Sequence, residues 1–482
     1  MSWNLKNTYS QLPEALYVNQ KPIPVKNPSL VLLNNGLALD LGLDIEELRS
    51  SEGTAILAGN AIPQDSQPIA QAYAGHQFGY FTMLGDGRAV LLGEQLTPAG
   101  KVFDIQLKGS GRTPFSRRGD GRAALGPMLR EYLISEAMFA LGIPSTRSLA
   151  VVTTGEQVYR ETPLQGAILT RCAASHIRIG TFQYAAAKKD LKQLKELADY
   201  SIKRHYPELL QTNQPYLGLL DSVTKRLISL INQWLRVGFV HGVMNTDNMA
   251  ISGETIDYGP CAFIDHYDPK AVFSSIDHHG RYAFGEQADI AHWNLARFAE
   301  TLLPLLSENS TTALALANDC LKSYTELFEK EWLQMMGKKL GIFSTSENDK
   351  SFFDELLKIM HEHKLDYTNT FRLFTRNNHK EILEEKYLPL SAWIEKWRLR
   401  QAQQNITSEQ AASLMKKNNP VIIPRNHLVE AALQATKENM NLGPILEFLE
   451  VLKAPYLERQ DSEKYIQSPN SDNAPYKTFC GT

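Results

Sequence analysis

The residues best suited to do chemistry are clustered in His241-Gly242-Val243-Met244-Asn245-Thr246-Asp247-Asn248, followed by Asp257-Tyr258-Gly259. Asn248 and Asp257 are hard oxygen donors of the kind that hold magnesium when a nucleotide's phosphates supply the remaining ligands. Asp247 stands beside them as a second carboxylate, able either to take a proton or to position the metal. Upstream, Lys108 closes the apolar run Phe103-Asp104-Ile105-Gln106-Leu107, and a helical pattern with Glu131 and Glu136 follows. A lysine steered by a glutamate is a phosphate grip. Glu131 is the expected partner, because Glu136 lies about 140° further round an ideal helix.

The spacing is that of a protein-kinase active site with one part replaced. In the pattern His-Arg-Asp, four residues, Asn, then Asp-Phe-Gly, the first Asp takes the substrate proton and the Asn and later Asp hold magnesium. With His241 on the kinase His, Val243 occupies the base position and Asn248 the magnesium-binding one. Either the chemistry is rearranged or the site only binds nucleotide. His241 is expected to be a backbone-bonded core residue, and Asp289 and Trp293 to brace the catalytic loop.

Around Lys108 the chain is basic. Residues 101–130 carry seven basic side chains (Lys101, Lys108, Arg112, Arg117, Arg118, Arg122, Arg130) against Asp104 and Asp120. The glycine-rich stretch Gly109 to Arg122 is expected to cradle a polyphosphate through backbone amides and arginines, the alternative being a solvated basic loop. Gly85-Asp86-Gly87-Arg88 is either a second phosphate turn or a hairpin turn with no ligand. Arg171 and Arg178 flank a strand end, where each alone would suit a structural ion pair.

These residues need a sheet and helices to position them. Strands are expected at 89–92, 103–108, 148–152 and 166–171, with one helix from Gly126 to Leu141, stopped by Gly142 and Pro144. Long helical patterns follow at 188–204, 217–237, 286–305 and 312–337, with later ones at 428–435 and 444–452. The expected fold class is α+β, a protein-kinase-like bilobal fold. It comprises a mainly β small lobe with one key helix (1–170), a larger mainly α lobe carrying the active-site segment (171–340), and a helical C-terminal extension (341–482). The extension ends in a polar tail, Ser468 to Ala474, expected to be mobile.

Composition narrows the classes further. With 43% apolar residues, 21% charged residues and a formal charge of −3, the 482-residue chain has no bulk attraction for nucleic acid or anionic membrane. No apolar run approaches the roughly 18 residues of a membrane span, so a cytoplasmic protein is expected. The cysteines Cys172, Cys261, Cys320 and Cys480 form no CxxC pair and no zinc spacing. Cys261 and Cys480 are either a regulatory pair or two unrelated thiols.

Longer motifs carry a resemblance. Tyr73-Ala-Gly-His-Gln-Phe-Gly-Tyr80, Leu84-Gly-Asp-Gly-Arg-Ala89, Gln106 to Arg117, Arg130 to Glu136, Gly242 to Asn248, Asp257 to Pro260 and Asp277 to Tyr282 together resemble the selenoprotein O family, in its cysteine-containing bacterial form. The likeness is densest over residues 70–300. It implies a kinase-like fold that binds ATP in reversed orientation and transfers AMP to Ser, Thr or Tyr hydroxyls of proteins, releasing pyrophosphate, with self-modification as one outcome. By that resemblance Gly85, Gly87, Arg88, Lys108, Asp120, Gly121, Arg171, Arg178 and Asp257 bind ATP. Asp247 is the base, and Asn248 and Asp257 hold magnesium, or manganese in its place. Some relatives tie the tail cysteine to one in the active-site segment; Phe273 stands at that position here, and Cys261 is a candidate substitute, the alternative being two unrelated thiols. The expected partners are ATP and protein acceptors, on a monomer. A protein or small-molecule kinase and a non-catalytic nucleotide-binding scaffold are the competing readings.

Overall fold

Apolar runs rich in β-branched residues between 69 and 173 pair into one large antiparallel sheet. The computed structural model describes residues 2–376, 384–460, 462–469 and 476–478; Cys480 and residues 470–474 of the polar tail lie outside the described residues. The strands are β1 (Leu5–Lys6), β2 (Tyr17–Asn19), β3 (Ser29–Leu33), β4 (Ile69–Gln77), β5 (Tyr80–Gly85), β6 (Ala89–Leu96), β7 (Val102–Lys108), β8 (Ala123–Ala124), β9 (Arg147–Tyr159) and β10 (Pro163–Ala173). Their order is β2-β4-β6-β7-β10-β9-β3, with β1 on β6, β5 on β4 and β8 on β10. β5 and β6 both pair with β4, Gly85 opposite Ala72 and Leu91 opposite Ile69. Residues 86–88 therefore interrupt one long strand and do not form a hairpin turn; the turn of the hairpin is Phe78-Gly79.

The helices are α1 (Asn35–Asp40), α2 (Ile45–Arg49), α3 (Ser51–Leu57), α4 (Leu125–Ala140), α5 (Ile179–Ala187), α6 (Leu191–His205), α7 (Pro215–Val237), α8 (Gln287–Leu306), α9 (Ser310–Lys339), α10 (Asp349–Glu362), α11 (Tyr367–Arg376), α12 (Ser391–Ala402), α13 (Ser408–Asn418), α14 (Asn426–Asn439) and α15 (Gly443–Leu452). The helix expected at 188–204 is present as α6 but starts at Leu191. Lys189 adopts a positive φ of 56°, and the Asp190 carboxylate caps α6 by accepting from the Lys192 and Gln193 amides, so the chain restarts there.

One apolar core runs from the sheet through α4–α8 and on into residues 421–466. A second packs residues 333–415 against Val240, Ile264 and Phe284. Returning segments reach α4: Arg236 and Tyr456 both donate to the Leu141 carbonyl, at 2.8 Å each. Among the described residues no helix is long and apolar enough to cross a membrane.

Candidate active site

Strand register builds the ionic centre. Lys108 ends β7, and α4 presents Glu131 from its buried face, giving an Nζ to Oε2 distance of 2.6 Å. Glu136, five residues on, turns away to pair with Arg147 at 2.6 Å. Antiparallel pairing sets Arg171 of β10 opposite Gln106 of β7, and the Gln106 amide oxygen accepts from the guanidinium at 2.6 Å. That bond aims Arg171 at Asp257 Oδ1 (2.7 Å), where Lys108 also arrives (2.8 Å). Arg178, stacked on the Tyr73 ring at 4.3 Å, approaches the other oxygen of Asp257 at 3.5 Å. Burial alone would raise the Asp257 carboxyl, but Lys108, Arg171 and Arg178 outweigh it and hold it well below the usual carboxylate range. Asp257 sits at φ 62°, a conformation costly for a non-glycine residue, and 24% of its side chain remains open.

Beside this centre lies a second carboxylate of opposite character. Asp247, on the 3₁₀ turn Thr246–Asn248, is 7% exposed, and its Oδ1 has no hydrogen-bond partner among the described residues. Burial pushes it up to about 6, against the pull of Arg178. Arg178 donates to the Asp247 backbone carbonyl at 3.0 Å, so one guanidinium ties both carboxyl-bearing segments together. Asn248 donates to the Val243 carbonyl at 3.0 Å through its amide nitrogen, which leaves the amide oxygen as the group able to ligate a cation. With Asp257 and a nucleotide's phosphates, this donor set fits magnesium, which needs few protein ligands. Among the described residues no cluster of three or more His, Cys, Asp or Glu offers a metal site independent of a nucleotide.

The glycine loops lock onto one another. Thr113 Oγ1 donates to the Asp86 carbonyl at 2.7 Å and Ser116 Oγ to that of Gly87. A Cβ on Gly85 would lie 2.3 Å from the Phe115 ring, and one on Gly121 (φ 70°) 2.2 Å from the Gly111 carbonyl, so glycine is required at both. Arg88 is half-buried, its carbonyl accepting from the Gly109 amide at 2.7 Å. The structure does not bring Asp120 into the ionic centre: it is exposed and pairs with Arg160 at 2.8 Å. Arg112, Arg117 and Arg118 are exposed as well.

Bracing residues differ from those expected. His241 is fully buried and its Nε2 bonds the Ile256 carbonyl at 2.9 Å, as a core residue should. From α8 it is Gln287 and Asn294 that hold the loop, Gln287 Oε1 accepting from the His241 amide (3.0 Å) and Asn294 donating to the Met244 carbonyl (2.9 Å). Asp289 is on the exposed face of α8, and Trp293 packs edge-on against His76, with ring centroids 5.2 Å apart. The β4–β5 hairpin is a component sequence reasoning missed. The His76 amide donates to Thr246 Oγ1 (2.7 Å), the Phe78 amide to Asn245 Oδ1 (3.0 Å), and a Cβ on Gly75 would lie 2.1 Å from Asp247 Oδ1. The sequence signals were Gly75 and the motif Tyr73 to Tyr80 that contains it, neither of which says what packs there.

Cys261 is buried beside Arg130, whose Nη1 lies 3.5 Å from the thiol; burial pushes that thiol up and Arg130 opposes it. The described end of the tail docks close by, Thr478 Oγ1 donating to the Pro260 carbonyl at 2.7 Å.

A converging Lys and Arg cluster on a carboxylate, an Asn/Asp donor pair and a separate buried carboxylate with one oxygen unpaired describe an enzyme that handles a nucleotide's phosphates. The chain belongs to the SelO protein adenylyltransferase family, whose model matches residues 1–453. It is 57% identical over 480 residues to the protein nucleotidyltransferase YdiU of Shouchella clausii, covering 100% of this chain and 99% of that one. Proteins of the same name from Bacillus cereus (56% over 480 residues, 98% of the relative) and Bacillus thuringiensis (56% over 482 residues, 99%) match this chain along its full length too.

Proposed function

We propose that this chain transfers AMP from ATP to Ser, Thr or Tyr hydroxyls of proteins. The observation that carries the reading is the separation of two carboxylates: Asp257 saturated with cations, Asp247 buried with an oxygen unpaired. The first suits the phosphates, the second an incoming hydroxyl. Lys108, Arg171 and Arg178 grip the polyphosphate, Gly85, Gly87 and Arg88 line its path, and Gly121 with Asp120 keeps the outer loop closed over it. Asp247 takes the acceptor's proton as its oxygen bonds the α-phosphorus; the bond to the bridging oxygen breaks and pyrophosphate leaves with that electron pair. The arginines stabilise charge developing around phosphorus. Magnesium, held through Asn248 and Asp257, would neutralise phosphate charge.

The same reading treats the sheet with α4 as a kinase-like small lobe (1–170) and the helices with the catalytic turn as the large lobe (171–340), followed by the extension (341–482). Lys108 paired with Glu131 across a strand and a helix supports it. ATP labelled separately at the α- and γ-phosphates, with intact mass of the protein and Asp257→Ala as control, tests the function. Transfer of α-label with the mass of one AMP is expected, and is lost in the variant. Transfer of γ-label would make the protein a kinase, and binding without transfer would make it a scaffold.

A further inference from the structure

The hairpin that closes over Asp247 has a second, unused side. β5 pairs with β4 along one edge, and among the described residues no strand pairs with the other. The turn residues Phe78 (φ 51°) and Gly79 (φ 90°) make a two-residue hairpin of the I′ kind, so the flanking pair Gln77 and Tyr80 is hydrogen-bonded and the alternation continues from there. Phe81 and Met83 then turn their backbone groups outward. The same strand exposes Tyr80 (80%), Phe81 (47%) and Met83 (44%). A flat apolar edge of this kind invites pairing with another chain.

What pairs there is indicated by charge. Arg112, Arg117 and Arg118 stand exposed on the adjoining loop, and Arg117 already donates to the Met83 carbonyl at 3.2 Å. The loop's nearby carboxylate, Asp120, is occupied by Arg160. A guanidinium cluster beside a strand edge that, among the described residues, no other strand pairs, and beside apolar side chains, is complementary to an extended peptide that combines apolar and acidic residues, which would displace Arg117 from the Met83 carbonyl.

We propose that β5 is the docking edge for the protein acceptor, which adds an extended, acidic and apolar segment as a further strand. The proposal rests on the AMP-transfer reading, since that reaction needs an acceptor beside Asp247. Asp247 packs at Gly75, which is paired with Thr82 of β5. A docked strand would run two strand spacings from Gly75, roughly 10 Å. A Ser or Thr side chain cannot span that gap, so the docked segment flanks the modified residue and does not contain it.

The test uses the full chain, α-labelled ATP and two sets of short synthetic peptides bearing Ser, Thr or Tyr. One set combines Val, Ile and Tyr with Asp and Glu, and the other carries Lys in place of the acids. The acidic set is expected to be modified about tenfold more efficiently. Tyr80→Ser combined with Met83→Ser, and separately Met83→Pro, which removes an outward amide, should raise peptide KM about tenfold while ATP affinity and kcat hold. Unchanged KM in both variants, equal use of lysine peptides, or self-modification with no peptide modified would overturn the docking edge. If α-label reaches no acceptor at all, the protein itself included, while ATP still binds, the transfer reading fails first and the docking edge goes with it.

Discussion

Asp257 and Asp265 are near neighbours in sequence, yet the buried ionic clusters they enter, one with Lys108, Arg171 and Arg178 and the other with Arg425, are built for opposite ends. Around Asp257, three cations converge on one carboxylate that keeps 24% of its side chain open and a backbone at φ 62°. Around Arg425, one guanidinium only 1% exposed is shared by Asp265 (2.6 Å) and Asp366 (2.9 Å), tying the start of α14 to the segments before α11 and after the active-site loop. The second leaves Asp265 and Asp366 20% and 12% exposed and braces the fold. The first gathers three cations, shared among Asp257, Glu131 and Asp86, around a strained centre, which suits a transient anionic ligand. Burial of an ion pair therefore does not mark function; several cations converging on one carboxylate held in a strained backbone do.

The sharpest way to break that distinction is to exchange the consequences. Asp257→Asn is expected to lower AMP transfer by at least about 10³-fold, roughly 4 kcal/mol in the barrier, with circular dichroism still that of a folded protein. Arg425→Met should do the reverse, costing about 3–5 kcal/mol in urea unfolding because two carboxylates are left without their cation, while kcat of the folded fraction stays within about twofold. An active Asp257→Asn protein, or an Arg425→Met protein of parental stability, would dissolve the contrast. A smaller effect is expected for Glu131→Gln. Lys108 keeps Asp257 as a partner at 2.8 Å, so transfer should fall only about 30-fold, mostly through a raised KM for ATP.

Much of the first cluster was legible from local pattern. Helical phase separated Glu131 from Glu136, and spacing alone aligned Asn248 and Asp257. What was hidden depends on long-range packing. Gly75 shows from sequence that something approaches closely there, but not that it is the Asp247 carboxylate. Gln287 and Asn294 resemble ordinary helix polar residues; only the orientation of α8 against the loop singles them out over Asp289. The Arg425 cluster was equally silent, since its partners come from three separate segments. Asp120, within the glycine-rich stretch Gly109 to Arg122, stands on the outer rim because Arg160 at the end of a distant hairpin claims it.

Glu254 supplies a third case, a carboxylate with hydrogen bonds but, among the described residues, no cation in salt-bridge contact. It accepts from the Ala174 amide at 2.9 Å and from Ser252 Oγ at 3.0 Å, next to the strand that carries Arg171. Burial pushes it up to about 7, and the two hydrogen bonds only partly oppose that, whereas the cations around Asp257 reverse the effect of burial altogether. A folded-state value above the unfolded one means the folded protein holds the extra proton. Its stability relative to a neutral analogue is then full below the unfolded value and is lost as pH rises toward about 7. Glu254→Gln removes this dependence and leaves every other titration in place. The whole shift would correspond to about 3 kcal/mol, and partial exposure of the residue reduces the expectation to about 1–2 kcal/mol. Urea unfolding of both proteins at pH 5 and pH 8 should therefore show the variant gaining on the parent at the higher pH. A gap that stays constant would mean that the hydrogen bonds at Glu254 fully offset the burial of its charge, and a parent that gained at pH 8 would mean that they reverse it, as the cations do at Asp257.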